Sequence, residues 1–147
     1  MNFVTSTLVH GIARSYNRVI AAFMRLEAAG ERHLPLPDLA TSIGFDVLIA
    51  DSSRMQAQLL AAALRRHPEL HISSCPMNPA SILQSVAEHY PQVALLSFSA
   101  PANFADEIGT LRRFHLSHPR IAKIILADSS SRDLVIQGFR SGARGLV

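Results

Sequence analysis

Phe45-Asp46-Val47-Leu48-Ile49-Ala50-Asp51 is a short apolar run closed by an acid, and its reading decides the fold. Four successive apolar side chains, Val47 to Ala50, leave no polar face, so a strand here is covered on both sides, as in a parallel sheet. Toward the C-terminus the pattern alternates. A helix is predicted over roughly 53–66, then a second strand from Leu70 to Cys75. A second helix opens at Asn78, an N-cap, with Pro79 in the first turn that tolerates it. Val93-Ala94-Leu95-Leu96 reads as a third strand, 104–117 as a third helix and Ile121 to Ala127 as a fourth strand. Ser131 to Ser141 gives a fourth helix, and Arg144 to Val147 begins a fifth strand. Strand and helix in strict alternation define a doubly wound α/β fold. In such sheets ligands lie beyond the carboxyl ends of the strands, where the strand order reverses. That rule selects Asp51, Ser97 and Ala127.

Toward the N-terminus, Val9, Ile12, Tyr16, Val19, Ile20, Phe23 and Leu26 recur in steps of three and four. They mark one face of an amphipathic helix over 8–29, with Gly30 where a C-terminal cap belongs. His33-Leu34-Pro35-Leu36-Pro37 then breaks any helix, because proline lacks the donor and restricts its predecessor. Residues 1–44 are therefore expected to be a helix and linker, and 45–147 the domain. The helix could pack on the domain, pair with a second copy or touch a membrane surface. The same segment also fits translated sequence upstream of a later start.

The chain has 147 residues, 48% hydrophobic and 17% charged, enough for one core and too apolar for disorder. Cys75 is the single cysteine, which excludes an intramolecular disulfide and a cluster of thiolate ligands. Arg14, Arg18 and Arg25 interrupt the one long apolar candidate, so neither a spanning helix nor a secretory signal is expected. A soluble, cytoplasmic protein follows from that reading. A net charge of +3 is too slight to imply nucleic acid. Lys123 is the only lysine among 14 basic residues, a bias attributed to codon usage before chemistry.

Val47-Leu48-Ile49-Ala50-Asp51, Pro91 to Ser97, Pro101 and Ser141-Gly142-Ala143-Arg144-Gly145 together resemble the CheY-like receiver domain of bacterial response regulators. The Gly-Ala-Arg-Gly ending is most similar to the LuxR/NarL class, whose receivers precede a DNA-binding helix-turn-helix. The resemblance covers about 45–147 and implies a flavodoxin-like sheet, two-component signal transduction and regulation of transcription. In that family two acids after the first strand and an aspartate after the third hold Mg²⁺, and the latter accepts a phosphoryl group. A Thr or Ser after the fourth strand and a Lys after the fifth bind the phosphoryl oxygens.

Carried over position by position, the family pattern is largely lost. Asp51 matches the first acid, but Ser52 stands for its partner and Ser97 for the phospho-acceptor. Ala127 falls where the Thr or Ser belongs, and the Lys is expected near 149, beyond the last residue. One carboxylate does not retain Mg²⁺, and Ala127 offers a phosphate no hydroxyl. The resemblance thus implies a pseudo-receiver that works without phosphorylation, with no cofactor, no metal and no enzymatic activity. Its expected partner is a second copy, paired in the family manner through Leu134, Val135, Gln137, Gly138 and Arg140. DNA would be reached only through a C-terminal helix-turn-helix outside these residues. With so short a fifth strand and no closing helix, the receiver fold is expected to be C-terminally truncated.

Blander and sharper readings stand beside these. Asp51 before Ser53-Arg54 also fits a helix cap, and Asp128-Ser129-Ser130-Ser131 a loop supplying another. His115 and His118 have metal-ligand spacing but no further ligands, so solvent exposure is expected, as for Arg65-Arg66 and Arg112-Arg113. Two alternatives differ in class. One is a flavodoxin-like small-ligand module with an apolar pocket over Ala127 and Ser97. The other is a serine hydrolase joining Ser97 and Asp51 to a histidine, which lacks the G-x-S-x-G elbow.

Overall fold

The computed structural model describes residues 44–99, 101–128 and 131–147. The expected helix over 8–29 and its linker lie outside the described residues. Five strands alternate with four helices: β1 Phe45–Ala50, α1 Arg54–Leu64, β2 Leu70–Cys75, α2 Pro79–His89, β3 Val93–Phe98, α3 Phe104–Ser117, β4 Ala122–Ala127, α4 Arg132–Arg140 and β5 Gly145–Leu146. All pairings are parallel, and the sheet order is β2-β1-β3-β4-β5. The order turns back between β1 and β3, so the switch point falls at the carboxyl ends of those two strands.

Local chemistry explains the helix starts. Asn78 Oδ1 accepts from Ser81 N at 2.8 Å ahead of Pro79, and Ser131 Oγ accepts from Leu134 N at 3.1 Å. Ser53 is the cap of α1, its Oγ 3.4 Å from Gln56 N. Each side chain satisfies one of the amides a helix leaves unbonded at its start.

Leu48, Ala50, Ala94, Leu96 and Ile125 of the sheet meet Ile82 and Val86 of α2, Leu111 and Phe114 of α3 and Leu134 of α4 in one apolar core. Buried side chains of this size stabilise by about 1.5–3 kcal/mol each. α1 turns Ala57, Leu60, Ala61 and Leu64 inward. α4 approaches the sheet at Gly138, where a Cβ would lie 2.6 Å from Cδ1 of Ile125.

α1, α4 and β4 differ from the sequence reading by one or two residues at their ends, and two other strands differ for a reason of pairing. β3 runs on to Phe98 instead of ending at Leu96, because Ser97 and Phe98 find partners in Leu126 and Ala127 of β4. β5 is two residues rather than four, although the flanking amides of Arg144 and Val147 still donate to Lys123 O and Ile125 O.

Candidate functional site

The residues selected by the switch-point rule stand at neighbouring strand ends but do not form one bonded group. Asp51, 7% exposed, follows β1, and its Oδ1 accepts from Ser53 N at 2.7 Å. The carboxylate thus closes the turn into α1. Ser52 beside it is exposed, and Ser97 is half-buried within β3. No hydrogen bond joins Asp51 to Ser97 among the described residues. Mg²⁺, which the resemblance implies, does not fit this donor set: one of Asp51's oxygens is held by an amide, and Ser52 and Ser97 bring hydroxyls rather than carboxylates. Among the described residues no cluster of three His, Cys, Asp or Glu side chains could hold a metal.

A triad at Ser97 meets a topological obstacle. His67, His71, His89, His115 and His118 lie in or just before the amino-terminal ends of strands β2, β3 and β4. Ser97 is at a carboxyl end. A six-residue strand spans roughly 20 Å, far beyond the reach of a general base.

The roomy feature of this end lies beside Ser97. A cavity of about 470 Å³ opens between the exits of β3 and β4 and the first turns of α3 and α4. Phe98, Phe104, Ala127 and Leu134 give it apolar walls. Glu107, Asp128 and Asp133 bring carboxylates, and no Lys, Arg or His is among its described lining residues. Ala127 is among the lining residues and carries no hydroxyl.

Glu107 is the residue that the sequence reading missed. It is 7% exposed, and its Oε1 accepts from both Ser99 N and Ser99 Oγ at 2.9 Å. It thereby fixes the chain as it leaves β3. Its sequence signal is slight: an acid in the first turn of a helix, ordinarily explained by the helix dipole.

A second cluster, also unforeseen, sits at the opposite end of the sheet. Lys123 of β4 is fully buried; its Nζ donates to His118 O, approaches His115 Nδ1 at 3.5 Å and lies 4.9 Å from the centre of the Phe114 ring. Burial, helped by the nearby Arg144 charge, lowers its pKa to about 8. His115 and His118 are half-buried here, not solvent-exposed as expected, because α3 packs its last turn over this lysine. Arg65, Arg66, Arg112 and Arg113 are exposed.

Of the residues expected on a pairing face, Gln137 and Arg140 are exposed and Val135 is half-buried. Leu134 and Gly138 are buried. The outward apolar side chains of α4 are Ile136 and Phe139.

The fold is that of the response regulator receiver domain. Among solved structures, the isolated receiver domain of RcsB from Salmonella enterica serovar Typhimurium, studied with the phosphomimetic BeF₃⁻, has a TM-score of 0.60 at 14% identity, over 71% of this chain and 76% of that one. A response regulator from Thermotoga maritima gives 0.61 at 15% identity, over 71% and 83%. A pilus assembly-related protein from Burkholderia pseudomallei gives 0.63 at 14% identity, over 75% and 81%. No family model matches the sequence, and no curated protein does. Among the described residues no helix is long and apolar enough to cross a membrane.

Proposed function

We propose that this chain is a receiver module that signals through protein contacts and not through phosphorylation. The observation that carries the reading is the state of the three strand ends: a serine in β3, a single acid engaged in a turn, and a methyl in place of the switch hydroxyl. A phosphoryl group would find no metal and no hydroxyl from Ala127. Among the described residues Ser97 has no adjacent base to activate it. Control of transcription, as in the LuxR-type regulators, is the role proposed, in the cytoplasm, with DNA contacted by a separate output domain. A non-enzymatic role agrees with the distance between Ser97 and the described histidines. The pilus-related neighbour favours a second setting, in which the same module assembles with other proteins. Residues 1–44 are proposed as an appended helix and linker, and 45–147 as the signalling domain.

Pairing of two copies is proposed through the outer face of α4, where Ile136 and Phe139 are 37% and 50% exposed beside Arg140. Sedimentation velocity, with and without beryllofluoride and Mg²⁺, checks both parts. The expected result is a dimer whose population is unchanged by the phosphomimetic and shifts to monomer in Phe139→Glu. Incubation with acetyl phosphate should leave the intact mass unaltered. A stoichiometric phosphoryl gain at Ser97, or a beryllofluoride-dependent dimer, refutes the proposal.

A further inference from the structure

We propose that the cavity between β3, β4, α3 and α4 binds a small organic cation: an ammonium or guanidinium head on an apolar body. Its volume of about 470 Å³ falls within the range of small-molecule sites. The walls divide the ligand's chemistry. Phe98 and Phe104 offer aromatic surface to an apolar body, and a cation over such a ring is further attracted to its π-face. Asp128 and Asp133, both exposed, supply negative charge at the mouth.

Glu107 adds an independent pointer. It is more than nine-tenths buried and lines the cavity, with both bonds from Ser99 arriving at one oxygen, Oε1. Among the described residues no donor reaches Oε2. Oε2 is not itself closed off from solvent, and an accessible carboxylate oxygen without a donor favours an incoming N–H group over an acceptor. The helix dipoles account for acids in the first turns of α3 and α4. They do not account for an apolar cavity between those acids, nor for the lack of a basic residue among its described lining residues. An anion entering here would meet three carboxylates and, among the described lining residues, no counter-charge.

The test uses the full ¹⁵N-labelled chain and three probes with the same body: phenethylamine, phenethyl alcohol and phenylacetate. Amide shifts in titrations should map the amine to Ser99, Asp128 and Leu134, at least tenfold tighter than the alcohol, with phenylacetate silent. Asp128→Asn with Asp133→Asn, both surface positions, should weaken the amine about tenfold and leave the alcohol unchanged. Ala127→Leu, which fills the cavity from its wall, should abolish binding of both; an unchanged melting temperature in the Asn variants shows that they are folded. The proposal is overturned if the amine binds no tighter than the alcohol, if its shifts map elsewhere, or if the double Asn variant binds it equally well. These outcomes are independent of whether Ser97 accepts phosphate.

Discussion

Lys123 is the chain's only lysine, and its placement is costly. An ammonium inside β4 keeps a carbonyl and an aromatic face as compensation, with no carboxylate within salt-bridge distance among the described residues. Its pKa of about 8 lies below the 10.5 of the unfolded chain, so between those values the unfolded state binds more protons. Stability should therefore rise as pH increases from about 8 toward 10.5, by on the order of 3 kcal/mol. Urea unfolding at steps across that window checks the slope, and Lys123→Met should flatten it while remaining folded. Cys75, whose thiol burial pushes up, titrates in both proteins, so the difference between the two curves isolates the lysine. If the variant keeps the full slope, Lys123 does not carry the ammonium proposed for it.

At the scale of elements, strands and caps were legible because their causes are local. Val47 to Ala50, Asn78-Pro79 and Ser131 each carry their signal within four residues. Helix membership alone does not say which side of α4 faces out; Leu134 and Gly138, four apart, share the buried stripe. The last residue of β3 was misplaced for a different reason: pairing with β4 extends it, and pairing is not local. The same holds for the site. Asp51, Ser97 and Ala127 followed from topology, whereas the Ser99–Glu107 bond and the Lys123–His115 approach depend on how a loop folds back and how α3 ends. Gly142, in the turn after α4, shows such a dependence: its φ is +105°, and a Cβ would meet the His115 ring at 2.2 Å. Gly142→Ala should cost roughly 1–3 kcal/mol, from strain and displacement of that ring together. Adding His115→Ala should restore part of the loss, measurable by thermal melting. No restoration would assign the cost to the backbone alone.

Over the whole domain, two gradients run through the sheet. One is charge, as a net excess. Asp51, Asp106, Glu107, Asp128 and Asp133 outnumber Arg54 and Arg132 at the carboxyl ends of the strands, while Arg65, Arg66, Arg120, Lys123, Arg140 and Arg144 outnumber Asp46, Glu69 and Glu88 at the other. Helix dipoles favour this order, with acids at helix starts and bases at helix ends. It also makes the carboxyl end a poor approach for a phosphoryl donor, which is consistent with the proposed function. The second gradient is burial, falling from the centre of the sheet to its edges. Val47 to Ala50 and Ala94 to Leu96 are wholly inaccessible to solvent, with β1 and β3 each bonded on both sides. β2 is buried only at its two ends, Leu70 and Cys75, and β5 has only a short pairing with β4. Local opening follows the fewest buried contacts, so amide exchange should be ordered accordingly. The amides of Val47 to Ala50 and Ala94 to Leu96 should exchange last, near the rate set by global unfolding. Those of Gly145 and Leu146 should exchange orders of magnitude sooner. Residue-resolved hydrogen exchange measures this directly. If β5 amides are as protected as those of β1, the edge is held by contacts beyond the β4 pairing, and the domain opens as one unit from the centre outward.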